Sequence, residues 1–258
     1  MNKVIFFFAL SLISIHAYSQ TTVISGGEIH TGLNEEPFVG DILIEGDTIL
    51  EVSRNALKGD LIIDATNSII TPGVIAPDTQ IGILEIGALS ETRDGDSNMY
   101  SMGFSVYDAI NPNSTLIPWN RSNGVTSAIT LPDFNWDPLS GMASYFLLDG
   151  SLRVNGIPDI ALTGEIGAIS SGSRAESLIL LKDLLEFASN LSEKDISSSM
   201  KISEAMESFE VAELMELQPR DVIALYNLLN KKLPLIINVN RASDILKLID
   251  IKKLYGLN

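Results

Sequence analysis

Along residues 20–70 the apolar positions fall in short β-branched runs separated by turn residues. Residues 22–25 form one run, Gly26 and Gly27 break it, and residues 28–31 resume it before a turn at Gly32 and Asn34. Residues 41–45 and 48–52 flank Gly46 and Asp47, the spacing of a tight hairpin. Residues 61–64 and 68–70 add two short strands, so the pattern predicts a small all-β domain. From residue 71 the period changes. Val74, Ile75 and Ala76 form a continuous apolar run after Pro72 and Gly73, and residues 124–130 form a second from small and β-branched side chains. Both read as buried strands. Turn signals dominate residues 91–123, with a short helix over 104–110. Ser173 is placed to cap a helix over Arg174–Asn190, with Leu178, Leu181, Leu184, Leu185 and Ala188 on one face. A second helix is predicted over 201–217, and a third from Pro219, a residue suited to a first helical turn. Residues 235–239 read as a buried strand, and Ser243 as the cap of a last helix that stops at Gly256.

Helix, buried strand and helix in succession are the repeat of a parallel α/β fold. About four barrel-type strands are countable, against the eight of a closed (β/α)8 barrel. The pattern therefore predicts an α/β fold: a TIM-type barrel truncated after about four strands, or a complete open sheet.

Composition narrows the function classes. The chain of 258 residues carries 33 Asp+Glu against 17 Lys+Arg, a net charge of −16. That balance argues against nucleic acid and against anionic membrane surfaces, which favour basic patches. Without cysteine there is no disulfide and no thiolate metal site. At the N-terminus, Lys3, the apolar residues 4–15 and the small residues of 17–19 have the layout of a secretory signal peptide cut after Ser19. This predicts a periplasmic or secreted protein with no stable membrane span after cleavage.

Five strings then stand in a telling order. They are Ile-Ser-Gly-Gly-Glu-Ile-His-Thr-Gly at 24–32, Gly-Asp-Ile-Leu-Ile-Glu-Gly-Asp at 40–47, and Ile-Asp-Ala-Thr at 63–66. Ile-Ile-Thr-Pro-Gly-Val-Ile-Ala-Pro-Asp-Thr-Gln follows at 69–80, and Leu-Pro-Leu-Ile-Ile-Asn-Val-Asn-Arg-Ala-Ser-Asp-Ile at 233–245. In this order they resemble the N-terminal part of the amidohydrolase superfamily, in its imidazolonepropionase-like branch. Beyond the signal peptide read over 1–19, the resemblance implies a small β-sandwich domain from its N-terminal strands over 20–70 and the first half of a barrel over 71–258. It also implies metal-dependent hydrolysis of a non-peptide C–N bond, amide or cyclic amide, in a small-molecule substrate.

The departures from that family bear on chemistry. Its first barrel strand ends in His-x-His, where this chain has Asp78, Thr79 and Gln80. The histidine positions of the later strand hold Asn238 and Asn240. Only two histidines are present, His16 in the predicted signal peptide and His30 in the β domain. The usual histidine ligands of a divalent metal are thus absent, and Asp78 is the only metal candidate. Oxygen ligands of this kind suit Mg²⁺ or Ca²⁺ better than Zn²⁺.

Asp78 at a strand end is the candidate catalytic residue, as general base or oxygen ligand. Gln80, Glu91, Arg93, Asn238, Asn240 and Arg241 are the candidate substrate contacts. The competing reading makes them hydrogen-bonded replacements across a former metal cavity. Arg121 and Arg174 are further anion clamps or helix-end partners, Arg241 is set to pair with Asp244, and Glu85 and His30 admit structural roles. Two functions stay open: an exported amidohydrolase-like hydrolase, and a catalytically silent relative that binds a ligand or partner, oligomers included.

Overall fold

The computed structural model describes residues 20–33, 36–135, 138–167 and 172–258; the predicted signal peptide, with His16, and the turn residue Asn34 lie outside these. The chain divides into two compact units, Met1–Pro72 and Gly73–Asn258.

In the first unit, β1 (Thr21–Ile29), β2 (Phe38–Glu45), β3 (Thr48–Ser53), β4 (Leu61–Asp64) and β5 (Ile69–Ile70) make one mixed sheet. Its order is β3-β2-β1-β4, with β5 also on β1. The two hairpin contacts are antiparallel, whereas β4 and β5 run parallel to β1. Gly26 and Gly27 do not end the first strand, as their pairing suggested; they sit in a bulge between Ile24 and Gly27. The bulge needs glycine: Gly26 has φ +76°, and a Cβ on Gly27 would lie 2.5 Å from the Ile70 side chain. Among the described residues this unit is a single sheet layer, where a sandwich has two. Direct pairing puts Ile24, Ile42, Val52 and Ile63 on one face of it.

Asp41 pins this unit together. It is nearly inaccessible, and its carboxylate accepts the Leu57 and Gly26 N–H groups and the Ser25 hydroxyl, each at 2.9 Å. The Leu57 N–H, set against the cost of burial and helped by Gly26 and Ser25, holds its pKa below the usual 3.8.

In the second unit, β6 (Val74–Thr79), β7 (Val125–Thr130), β8 (Leu139–Leu147), β9 (Gly156–Glu165) and β10 (Leu235–Asn238) form a sheet in the order β10-β9-β8-β7-β6. β6 is parallel to β7 and β9 to β10, but β8 is antiparallel to both its neighbours. The expected all-parallel sheet is therefore mixed, with four strands pointing one way and β8 the other. Among the described residues six α-helices accompany it: α1 (Leu116–Ser122), α2 (Arg174–Asn190), α3 (Ser199–Glu207), α4 (Glu210–Leu214), α5 (Pro219–Asn230) and α6 (Ala242–Tyr255).

Helix α2 matches its sequence pattern. The Ser173 side chain caps it by accepting the Glu176 N–H, and the five residues assigned to its inner face are all buried. Elsewhere the pattern and the structure part. The single helix predicted over 201–217 is two, because the backbone turns extended at Phe209, whose ring packs 5.0 Å from that of Phe187. The helix predicted over 104–110 is one 3-10 turn, Tyr107–Ala109. The last helix starts at Ala242 with Arg241, not Ser243, at its N-cap position. Val74 and Ile75 are 55% and 53% exposed rather than buried, because β6 lies at the sheet edge. On β10, the opposite edge, Ile236 is exposed for the same reason.

Replacing Asp41 with Ala removes the shared acceptor of three part-buried hydrogen bonds, at about 0.5–1.5 kcal/mol for each. Amide exchange at Gly26 and Leu57 should accelerate in D41A. In the unaltered chain Asp41 titrates lower folded than unfolded, so its contribution is present above pH 3.8 and fades as pH falls through the depressed folded value. Unchanged exchange at these amides in the variant would refute the anchoring role.

Candidate functional site

The C-terminal ends of the four co-directional strands define one rim of the second unit, the side on which barrel sites form. At the end of β6, Pro77 and Asp78 fall inside a register shift against β7, between the pairs Ala76↔Ala128 and Thr79↔Thr130. Pro77 has no N–H to give the ladder, which favours such an irregularity. Bulges re-aim side chains, and Asp78 is exposed, engaged by no hydrogen bond or ion pair among the described residues.

Past the strand, the Gln80 side-chain amide donates to the carboxylate of Asp133, the residue that follows Pro132 beyond β7. Arg93 reaches the other Asp133 oxygen at 3.7 Å. The excursion between Gln80 and Arg93 folds back on itself through an antiparallel bridge between Leu84 and Arg93 and the Asp94 N–H to the Ile83 carbonyl at 2.8 Å. The Asp133 N–H closes the ring on the Gly95 carbonyl at 2.7 Å. There is little room here: a Cβ on Gly95 would stand 3.3 Å from the Asp133 carboxylate. Glu91 lies exposed in a 3-10 turn of the same excursion, Ser90–Thr92. Glu85 accepts the Thr115 N–H and hydroxyl, which ties the excursion to the residue before α1.

A second cluster sits beyond β9 and β10. Asn238 donates to Glu165 at 3.4 Å, and Asn240 accepts from Arg174 at 3.1 Å. Arg174 also pairs at 3.0 Å with Asp244, a carboxylate with a side chain only 1% exposed, and Lys247 approaches its other oxygen at 3.3 Å. Burial pushes the Asp244 pKa up, but Lys247 and Arg174 outweigh it and hold the group below 3.8. Arg241 does not take the place expected for it beside Asp244; its side chain is exposed and its carbonyl accepts the Asp244 and Ile245 N–H groups. Arg121 donates to the Leu148 carbonyl at 2.9 Å. His30 pairs with Glu28 at 3.0 Å in the first unit.

The structure thus joins Gln80 to Arg93, and Asn240 to Arg174, while Asp78, Glu91 and Arg241 stand apart from both groups. The sequence reading missed Asp133 and Glu165. The signal for Asp133 was its place just beyond a predicted strand, the same place that singled out Asp78. The rim does not fit the metal that the family resemblance implies. Among the described residues no three His, Cys, Asp or Glu side chains are grouped to hold an ion. Asp133 is also engaged by Gln80 and Arg93.

A mixed sheet with most strands in one direction, helices between them and polar strand ends is the architecture of part of an α/β barrel. Among solved structures it is similar to an amidohydrolase from Thermotoga maritima MSB8, with a TM-score of 0.70 and 22% sequence identity over 92% of this chain. The chain spans 63% of that protein's length. No family model and no curated protein matches.

Removing one cation from Asp244 tests the second cluster. In Arg174→Met the folded Asp244 pKa should rise, since one of its two charge partners is gone. A lowered carboxylate stabilises above pH 3.8 and loses that contribution as pH falls through its folded value, so the variant's acid unfolding should begin at higher pH. Circular dichroism against pH reads this; identical acid transitions in both proteins would refute it.

Proposed function

We propose that the chain is an exported protein of the amidohydrolase superfamily whose rim binds a small polar molecule without a catalytic zinc. The second unit is read as part of a (β/α)8 barrel. The observation that carries this reading is the content of the strand ends. Where the resembling family places metal-binding histidines, this chain has an exposed Asp78, a Gln80 that donates to Asp133, and Asn238 and Asn240 bonded to Glu165 and Arg174. Amides, carboxylates and guanidinium groups arranged this way recognise polar ligands by hydrogen bonds. Export rests on the N-terminal pattern of residues 1–19. No described helix is long and apolar enough to cross a membrane.

Asp78 favours a second reading, hydrolysis of a non-peptide C–N bond in an amide or cyclic amide. An exposed carboxylate on a strand-end bulge has the position of a general base. The two readings separate in one experiment. The purified mature chain is assayed for metal content and for hydrolysis of a panel of cyclic amides, with and without chelator, beside Asp78→Ala. The binding reading expects no stoichiometric transition metal and no turnover above background. Turnover that falls at least about a hundredfold in D78A, with an unchanged melting curve, would overturn it in favour of hydrolysis.

A further inference from the structure

Away from the rim, helices α2, α3 and α4 border two adjoining surface grooves. The larger, about 440 Å³, is lined by Asp183 and Glu186 of α2 and by Glu210, Val211 and Leu214 of α4. The smaller, about 260 Å³, meets it at Phe209 and Glu210 and is bordered by Glu207 and Glu213. Asp183 lies nine residues along α2 from Arg174, about 14 Å at 1.5 Å per residue, and no strand-end residue lines either groove.

Two features of these grooves point to the same occupant. The first is charge. Asp183, Glu186, Glu207, Glu210 and Glu213 are all exposed, and among the described residues none of them is in an ion pair. No lysine or arginine lines either groove. Lys201, the one cation of residues 199–216, is already paired with Glu204. Carboxylates gathered on one surface repel one another, and a cation seated among them relieves that repulsion. Their field reaches Tyr255, whose phenol is pushed above its usual 10.0 by burial first and then by Glu186 and Asp183.

The second feature is the floor. Phe209 is half-buried and held by a tilted contact with Phe187, 5.0 Å between ring centroids. Val211 beside it is buried, and Leu214 is 67% exposed. A fixed aromatic ring and an exposed leucine bordered by carboxylates match a segment that carries apolar residues on one face and lysine or arginine beside them.

From this apolar floor and its border of unpaired carboxylates we propose that the face of α2, α3 and α4 docks a basic amphipathic segment of a partner protein. Its apolar side chains rest on Phe209 and Leu214, and its cations lie against Glu186, Glu210 and Glu213. The proposal depends neither on the barrel reading nor on what the rim binds.

The test titrates the mature chain by calorimetry, at physiological ionic strength, with a synthetic amphipathic peptide of Leu and Lys about 14 residues long. A Leu and Glu counterpart and spermine are the comparisons. The expected result is saturable one-to-one binding of the Lys peptide alone, with backbone amide shifts largest at residues 183–186 and 206–214. Glu186→Gln combined with Glu210→Gln should raise Kd at least about tenfold. Leu214→Ser, at an exposed position that leaves the melting curve unchanged, should raise it about threefold or more. Glu45→Gln combined with Glu51→Gln removes two exposed carboxylates of the first unit and should change Kd by less than about twofold. No saturable binding, amide shifts spread over the whole acidic surface, or an equal loss in the first-unit control would each overturn the proposal. Displacement by spermine together with an unaltered Kd in L214S would overturn it in favour of a site for organic polycations.

Discussion

The second unit depends on one strand being buried on both faces. Strand β8 has seven of its nine residues inaccessible to solvent, and it stands between the parallel pair β6–β7 and the parallel pair β9–β10. Its Leu139 and Met142 belong to the large core that α2 and α5 fill with leucines. Phe146 belongs to the core beneath α1 and the 81–110 excursion, and Ala143 to a small third cluster with Leu131 and Ala161. One strand therefore couples three separate hydrophobic clusters. Its glycine and small residues follow from that. A Cβ on Gly141 would come within 2.9 Å of the Phe104 carbonyl oxygen, so the loop of residues 101–106 can lie against β8 only where the side chain is absent.

The same strand explains which elements the sequence reveals. Helix α2 is legible because one face is wet and the other dry, and its leucines repeat at helical spacing behind a serine that caps. β8 and the buried stretch Ala161–Gly164 of β9 have no such contrast. With burial on both faces, the alternation that marks a half-exposed strand disappears, and Ser140, Gly141, Ala143 and Ser144 look like loop composition. The edge strand β6 misleads in the opposite sense. Val74, Ile75 and Ala76 form an apolar run that reads as buried, but exposure is set by the sheet order, which no local pattern encodes. The break at Phe209 is a tertiary effect of the same kind: its ring packs tilted against that of Phe187, where the local sequence reads as continuous helix.

At the rim, legibility followed the backbone. Residues picked for standing at strand ends do lie there: Asp78 on β6, Asn238 on β10, and Gln80 and Asn240 just beyond. What spacing could not supply was partnership. Arg241 lies three residues before Asp244 and seemed its natural partner, yet the pair forms with Arg174, 70 residues away in sequence. The reason is geometric. Arg241 occupies the N-cap position with extended backbone, its carbonyl starts α6 by accepting the Asp244 and Ile245 N–H groups, and its side chain stays exposed. Arg174 opens α2 beside the end of β9 and meets Asp244 from the neighbouring loop.

That exchange of partners bears on what the rim can do. A carboxylate as buried as Asp244 is costly unless it is paired, and here it holds two cations and through Arg174 also fixes Asn240. On the far side, Asp133 holds Gln80 and Arg93 and so ties the 80–95 excursion to the end of β7. Each cluster thus joins consecutive strand ends, the work that a shared metal ion does when histidines from several strands converge on it. Hydrogen-bonded carboxylates tie these loops together, and Asp78, outside both clusters among the described residues, is open to solvent. The rim is thus held at two places by side-chain hydrogen bonds and ion pairs, Asp133 on one side of β8 and Asp244 with Arg174 on the other.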